Sequence, residues 1–148
     1  MKTLRWAALA AVTLASSDAL ARDFNVPTVS VYGAIGVGSG DIAIKQNSTA
    51  NFVGVMQVGP NVSTSIQQSG QHNHAVVGQI GQTTNATVLQ NGGSNRALMR
   101  QMSHINNAML GQIGADNRAR LFQIGPNNLA GIGQAGAYNR ALLRQLPW

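Results

Sequence analysis

The chain repeats one hydrophobic and polar pattern every eleven residues, from about residue 40 onward. An aliphatic side chain recurs at that interval, and a Gln follows each of these side chains two positions later. The aliphatic positions are Val55, Ile66, Val77, Val88, Met99, Leu110, Leu121, Ile132 and Leu143. Gln occupies ten consecutive positions of this register, from Gln46 to Gln145. A fixed period of this kind is the signature of a protein built from stacked repeats.

Further columns complete the repeat as Asn-x-Ala-x-Φ-x-Gln-x-Gly-x-x, in which Φ is aliphatic. The positions Asn, Ala, Φ and Gln are two apart, which places their side chains on one face of a β-strand. An eleven-residue period also suits a right-handed helical coiled coil. However, the recurrent Gly would cost a helix about 1 kcal/mol each time, and Pro60 and Pro126 directly follow such a Gly. The pattern therefore predicts a strand of about seven residues and a turn of about four in each unit.

Two successive eleven-residue units form one coil, because one strand cannot bury its inner face alone. The ten units of residues 40–148 predict an all-β, two-sheet β-solenoid of about five coils, roughly 24 Å tall and competent for cross-β stacking. Ala and the aliphatic residues face inward, and we expect the buried amides to stack into hydrogen-bonded ladders. The ladder residues are Gln57, Gln68, Gln79, Gln90, Gln101, Gln112, Gln123, Gln134, Gln145, Asn73, Asn95, Asn106, Asn117, Asn128 and Asn139.

The composition is rich in amides and poor in the residues that catalysis needs. Asn, Gln and Gly supply 14, 13 and 17 of the 148 residues, whereas Cys and Glu are absent and Asp occurs four times. The lack of Cys excludes disulfides, thiol nucleophiles and Cys-bound zinc, and four scattered Asp offer no carboxylate pair for acid–base chemistry. His72 and His74 share a strand face, but no third metal ligand is in view. The sequence therefore predicts no enzyme, no catalytic or metal site and no cofactor.

Residues 1–21 have the features of a secretory signal peptide. Lys2 and Arg5 form a charged start, an apolar run of ten residues follows, and residues 19–21 read Ala-Leu-Ala. Such a run is too short to span a bilayer, and the small residues suit a signal-peptidase site near Ala21. A buried N-terminal helix is the alternative. We expect an exported chain in which residues 22–39 form a non-repeat segment and residues 40–148 form the repeat domain.

Three stretches of the repeat match a known motif closely. Residues 112–119 and 134–141 follow the pattern Gln-x-Gly-x-x-Asn-x-Ala, and residues 79–81 match its Gln-x-Gly. Over about residues 40–148 the chain resembles the curlin subunits of bacterial curli fibres. The resemblance implies a secreted subunit that polymerises with itself or with other curlin subunits into extracellular amyloid fimbriae. These fibres serve in adhesion and in the biofilm matrix. The resemblance also implies partners in export, namely the curli secretion channel, which reads residues 22–39, and outer-membrane accessory factors. A plain linker is the alternative for that segment.

Curlin families contain a major, fibre-forming subunit and a minor subunit that nucleates it. Major subunits typically begin alternate units with Ser, where this chain has Asn73, Asn95, Asn117 and Asn139. The C-terminal units are also basic, so the pattern favours the minor subunit, and the major subunit is the alternative. Val62 and Thr84 replace Asn, and Ser48 and Ser103 replace Gly, which weakens the ladders in those units. A soluble β-solenoid that binds glycan or ice is the rival from another class.

The positive charge of the chain is concentrated on one predicted face. Residues two units apart fall in one column, so Arg96, Arg118 and Arg140 form an outward column above Phe52 and His74. The basic face comprises Arg96, Arg100, Arg118, Arg120, Arg140 and Arg144. One interpretation is a solvated surface that limits lateral sticking. The other is a binding face for polyanions at the cell surface, such as lipopolysaccharide, nucleic acid or an acidic subunit.

Overall fold

The computed structural model describes residues 13–16, 19–25, 31–37, 40–47 and 50–146, with side chains described for residues 40–47 and 50–146. Eleven β-strands occupy these ranges, and no helix within them is long and apolar enough to cross a membrane. The strands are β1 Thr13–Ser16, β2 Ala19–Asn25, β3 Val31–Val37, β4 Gly40–Asn47, β5 Phe52–Val58, β6 Val62–Gln71, β7 His74–Gly93, β8 Arg96–Ala115, β9 Arg118–Ile124, β10 Asn127–Ala137 and β11 Arg140–Gln145.

Every strand pairs in parallel with the strand one coil away, and within the repeat the partner lies two eleven-residue units along the chain. The predicted β-solenoid of about five coils is therefore confirmed. We call one wall of the solenoid sheet 1, formed by β1, β3, β5, residues 74–80, residues 96–102, β9 and β11. The opposite wall is sheet 2, formed by β2, β4, β6, residues 84–93, residues 105–115 and β10.

The solenoid has two kinds of corner, which the repeat pattern alone does not distinguish. After sheet 1, the chain turns at Gly59-Pro60 and at Gly125-Pro126, whereas β7 and β8 run through the same corner as unbroken strands of 20 residues. Proline has no backbone N–H and cannot continue a ladder of hydrogen bonds. The coils that lack proline therefore keep pairing around the bend, and the expected separate strands of about seven residues merge.

The corner after sheet 2 is tight and is built the same way in successive coils. One residue there adopts a left-handed conformation, and the φ angles of Ala50, His72, Ser94, Asp116 and Tyr138 lie between 54° and 61°. Such a conformation costs a residue with a side chain roughly 1–2 kcal/mol. Two positions earlier, Gly92 has a φ of 121°, and a Cβ there would lie 2.0 Å from the carbonyl oxygen of Gly114. Glycine is thus required by both the backbone angle and the close approach of the next coil.

The core is a set of single-residue columns between the two sheets. Ala75, Ala97 and Ala119 stack in sheet 1, and the aliphatic column beside them includes Val77, Met99 and Leu121. Sheet 2 supplies matching columns, which include Ala86, Ala108, Val88 and Leu110. Burial of large apolar side chains stabilises each coil by roughly 1.5–3 kcal/mol per side chain, and the repeated register places like residues on like.

Stacked strands continue on the N-terminal side of the repeat, where β3 pairs with β5 and β2 pairs with β4. Val31 lies opposite Phe52, so the spacing between paired residues here is one residue shorter than two repeat units. The difference arises at the corner, because two residues separate β3 from β4 whereas three separate β5 from β6. Residues 1–12 of the predicted signal peptide lie outside the described residues, and its later part overlaps β1 and β2. Cleavage after Ala21 would remove β1 and the first three residues of β2. The boundaries at 21 and 39 stay predictions.

Candidate functional site: amide ladders and a basic face

Glutamine side chains form one continuous ladder inside each sheet. In sheet 2, the Nε2 atom of each Gln donates to the Oε1 atom of the Gln one coil above, at 2.6–2.8 Å from Gln46 through Gln68, Gln90 and Gln112 to Gln134. In sheet 1, the same contact runs from Gln57 through Gln79, Gln101 and Gln123 to Gln145, at 2.8–3.1 Å. Both ladders have the same polarity, with donors pointing toward the C-terminal coil.

The same amides tie the two sheets together across the core. The second proton of Gln101 Nε2 reaches the backbone carbonyl of Asn85 in sheet 2, at 3.2 Å, and Gln90 Nε2 reaches the carbonyl of His74 in sheet 1, at 3.3 Å. Gln68, Gln79, Gln101, Gln112 and Gln123 are fully buried. A buried amide left without partners costs about 1–3 kcal/mol, whereas these amides are satisfied only when successive coils are in register. The ladders therefore select one stacking register.

Asparagine locks the tight corner instead of forming a simple amide ladder. Asn95 Nδ2 donates to the carbonyl of Gly114 in the next coil, at 3.0 Å, and to the carbonyl of Asn91, at 3.4 Å. It also donates to Asn73 Oδ1, which accepts from the backbone N–H of Asn95 as well, both at 3.1 Å. The backbone N–H bond to the Asn below recurs at Asn73, Asn117 and Asn139. Each Asn thus holds its own turn and the turn above.

Six arginines stand on the outer face of sheet 1. Arg96, Arg118 and Arg140 stack in one column. Arg100 and Arg144 flank Phe122 in a second column, and the guanidinium of Arg100 lies 6.0 Å from the centroid of the Phe122 ring. Arg120 lies between the two columns, and all six residues are exposed. From residue 96 onward the only acid is Asp116, so these units carry six positive charges against one negative charge.

The comparisons with known proteins bear on the same coils. Residues 114–146, which span the last turns of the solenoid, match the family model described as the curlin associated repeat. This match identifies a curlin repeat in the C-terminal coils. No curated protein matches the chain, and no solved structure matches it.

A curlin repeat supports a curli-type amyloid subunit. The family and the β-solenoid fold together point to a structural, non-enzymatic protein, and the family implies an extracellular fibre subunit at the cell surface. The sites that matter in such a protein are the surfaces along which subunits stack and the groups that fix their register. The Gln ladders and the Asn-locked corners are groups of that kind.

Two of the expected ladder residues stand apart from the regular curlin arrangement. Asn106 and Asn128 lie at the start of sheet 2 strands, in the column that holds Val62 and Thr84 below them. The Oδ1 atom of Asn106 accepts from the Ser103 hydroxyl, while its Nδ2 and the Oγ1 of Thr84 are buried without a partner. Asn128 Nδ2 reaches only the carbonyl of Gly125, at 3.3 Å. Substitution of Asn by Val and Thr therefore interrupts this column.

Thr64 is a ladder contact that the repeat pattern does not reveal. It occupies an Ala position of sheet 2, where its hydroxyl accepts from Gln57 Nε2 at 2.7 Å and donates to Gln79 Oε1 at 2.5 Å. The hydroxyl thus bridges two rungs of the sheet 1 ladder from the opposite sheet. In the sequence, Thr64 could have been recognised as a polar residue in an inner column that is otherwise apolar.

The lower end of the arginine column carries aromatic rings. Phe52 and His74 stack with centroids 4.5 Å apart and planes 18° apart, and Arg96 lies one coil above His74. The pKa of His74 is lowered, first by burial of the ring and second by the positive charge of Arg96. The imidazole is therefore neutral at neutral pH and lengthens the aromatic part of the column.

Proposed function

We propose that the chain is the minor, nucleating subunit of a curli-type fibre, acting in adhesion and in the biofilm matrix. Its work is assembly, in which each open end of the solenoid serves as a template for the strands of the next subunit. Export through the curli secretion channel, with residues 22–39 as the recognised segment, belongs to the same proposal. The alternative within the family is the major fibre subunit.

The open ends of the amide ladders are the observation that carries the proposal. In the described part of the chain, Gln134 and Gln145 end the two ladders, and Nε2 of each donates only to a backbone carbonyl. At the other end, Gln46 Oε1 is buried without a partner. The sheet 1 ladder starts at Gln57 because its neighbour below is Gly36, which has no side chain. Free donors at one end and an unpaired acceptor, Gln46 Oε1, toward the other favour head-to-tail stacking.

The strand edges support the same mode of assembly. Among the described residues, β11 pairs only with β9, and β10 pairs only with β8, so the upper strands keep one unpaired edge each. If the signal peptide is removed at Ala21, β3 and the remaining residues 22–25 of β2 form the lower edge. An unpaired edge of this kind binds an added strand through backbone hydrogen bonds, while the amide ladders fix its register.

Irregular coils and a basic face favour the nucleating role over the major subunit. A subunit that makes up the length of a fibre stacks best when all its coils are alike. A nucleator needs only one end whose strand edges and ladder residues are available to the next subunit. Here the broken column at Val62 and Thr84 lies in coils below the C-terminal end. The last Gln and Asn rungs, at Asn139 and Gln145, are complete and open. The C-terminal end is therefore the proposed template.

Nucleation is tested by adding traces of the purified chain to a monomeric major curlin. We expect a lag phase shortened several-fold at a molar ratio of about one to a hundred, followed by dye fluorescence and detergent-resistant fibres. A matched variant is Gln134→Ala with Gln145→Ala, which removes both upper ladder ends and should lose most of the effect. If the chain polymerises readily alone but does not shorten the lag, it is a major subunit. A stable soluble monomer would overturn the amyloid proposal and favour the surface-binding module.

The basic face is proposed to bind polyanions at the cell surface. Stacked arginines at the spacing of the coils, about 4.8 Å, repel one another by roughly 1 kcal/mol per pair in water. A bound polyanion removes that repulsion and gains charge-assisted hydrogen bonds. The observation that favours binding over a merely solvated surface is the segregation of charge. Sheet 2 carries no charged residue from β6 to β10.

A further inference from the structure

The outer face of sheet 2 changes character along the solenoid. In the lower coils it presents Asp41, Lys45, Ser63, Ser65 and Gln67, which are polar or charged. In the upper coils it presents large apolar side chains around a depression. The exposed fractions are 57% for Met109, 61% for Ile113 and 78% for Leu129. We call this upper region the glycine-floored face, made of Leu89, Met109, Gly111, Ile113, Leu129, Gly131, Gly133 and Ala135.

The floor of this face is a column of outward-facing glycines. Gly111 and Gly133 stack directly above Leu89, with Gly131 beside them, and a Cβ built on any of these three glycines would meet no atom within 4 Å. None of the three has a positive φ. Their backbone therefore does not require glycine, and glycine weakens a strand interior. Glycine in a strand interior is often found where a ligand or another backbone approaches closely.

We propose that the glycine-floored face joins two fibres of this chain side by side, sheet 2 against sheet 2. The inference rests on the proposed polymerisation. Met109 and Ile113 project on either side of Gly111. One coil above, Gly131 lies over Met109, Gly133 over Gly111 and Ala135 over Ile113. A copy related by a two-fold axis can lay these projections over the partner's glycine floor, as an isologous contact requires. The arginines of both copies then face outward, where like charges are far apart.

The size of the face explains why the partner is a second fibre. Three coils of about 4.8 Å and seven residues of about 3.3 Å give roughly 330 Å² per copy, or about 650 Å² in total. A stable interface between two separate subunits needs about 1,200 Å² or more. In a fibre, the face recurs once per subunit, so many weak contacts act together. Pairing is therefore expected between fibres and not between free subunits.

Charge argues against other occupants of the face. Sheet 1 against sheet 2 would bury arginines on an apolar surface without partners, which costs several kcal/mol per charge. A lipid surface attracts an apolar face that is flanked by basic residues, but here the basic residues lie on the opposite sheet. The face also lacks the regular polar pattern that would bind a glycan chain by hydrogen bonds.

The test compares fibres of the full chain with those of two charged variants. Gly111→Lys with Gly133→Lys places two stacked charges on the floor, where the open space allows the side chains without a clash. The matched control is Ala43→Lys with Ser65→Lys, a stacked pair on the same sheet in the coils below the face. Mass per length is measured by scanning transmission electron microscopy, and growth is followed by dye fluorescence.

We expect the unchanged chain and the control to form fibres of twice the mass per length of a single solenoid. The glycine variant should form single fibres of half that mass per length while its growth still yields dye-positive fibres. Single fibres from the unchanged chain, or paired fibres from the glycine variant, would overturn the pairing but leave the amyloid proposal intact. Failure of the unchanged chain to form any fibre would overturn both.

Discussion

At the residue scale, the tight corner shows how one side chain stabilises a backbone conformation that most residues avoid. Ser94 is left-handed with a φ of 57°, and the amide of the following Asn95 satisfies carbonyls in its own turn and in the turn above. The sequence does not reveal this role, because an Asn that recurs from coil to coil fits a simple amide ladder equally well. Only the backbone geometry shows that the Asn95 side chain bonds mainly to backbone carbonyls and less to the neighbouring Asn side chains.

Asn95→Ala should therefore destabilise the fibre by more than the loss of one hydrogen bond. The change removes three contacts of Nδ2 and leaves the Gly114 carbonyl and the Asn117 N–H without their side-chain partner. We expect a cost of about 1–3 kcal/mol per coil, seen as a lower guanidinium midpoint for fibre disassembly. Asn107→Ala is the control, because Asn107 is exposed and bonds only Asn85 through its side chain. Equal midpoints for the two variants would contradict the corner role.

His74 makes a pH-dependent contribution at the same scale. Its pKa in the folded chain is below the ordinary value of 6.5, mainly through burial and partly through Arg96. The unfolded chain therefore binds the proton first on acidification. The contribution of the neutral His74 ring to stability is fully present above about pH 6.5 and is lost as the pH falls through the lowered pKa. Arg96→Gln should raise the pKa of His74 toward its ordinary value.

Titration of the His74 ring by nuclear magnetic resonance measures this shift directly. Arg144→Gln is the control, because Arg144 lies in the other outward column and should leave the His74 titration unchanged. A His74 pKa at or above 6.5 in the folded chain, or one that ignores Arg96→Gln, would contradict the prediction. Since the ring is only partly buried, solvent screens part of the effect.

At the scale of the strands, the eleven-residue period predicts most of the fold and much of the candidate site. Alternation of Asn, Ala, Φ and Gln identifies the inner face, and two units per coil place Gln79 on Gln57 and Gln101 on Gln79, as the structure shows. The pattern does not predict that β7 and β8 continue through a corner, because that depends on hydrogen bonds between coils. Nor does it predict β3, which pairs with β5 at a shorter offset and has Gly36 where a Gln would mark the register.

The sheet 1 ladder should control the rate at which coils add to a fibre. Replacement of Gln79, Gln101 and Gln123 by Ala removes three buried rungs and leaves Gln57 Nε2 and Gln145 Oε1 without ladder partners. We expect the lag phase to lengthen at least several-fold, or fibre formation to cease, because register is no longer fixed. Thioflavin fluorescence and sedimentation measure both outcomes.

The chain offers a control of the same residue type and number. Gln67, Gln71 and Gln82 are exposed and lie outside the inner columns, so their replacement by Ala should leave the lag within about twofold of the original. If the ladder variant and this control assemble at the same rate, amide stacking does not guide assembly. The hydrophobic columns alone would then account for the solenoid.

At the scale of the whole molecule, the two sheets have opposite characters, and each suggests a different partner. Sheet 1 is cationic in its upper coils, whereas the glycine-floored face of sheet 2 is uncharged. Pairing through sheet 2 would leave two rows of arginines on the outside of the fibre, so lateral growth stops at two and polyanions remain free to bind. Self-association and polyanion binding are thus compatible because they use different sheets.

Binding of polyanions should then depend on salt in proportion to the arginines involved. With a short DNA duplex as the probe, the logarithm of the binding constant is expected to fall with the logarithm of salt concentration by about 0.9 per phosphate contacted. Removal of the column by Arg96→Gln, Arg118→Gln and Arg140→Gln should reduce that slope by about 2 to 3 and weaken binding at least tenfold at low salt.

Lys45→Gln removes a charge from the opposite sheet and should leave the slope unchanged. Fluorescence anisotropy against preformed fibres measures each case. An affinity indifferent to ionic strength, or equal slopes for the triple variant and the Lys45 control, would show that the arginine column does not bind anions and only keeps the outer faces of neighbouring fibres apart.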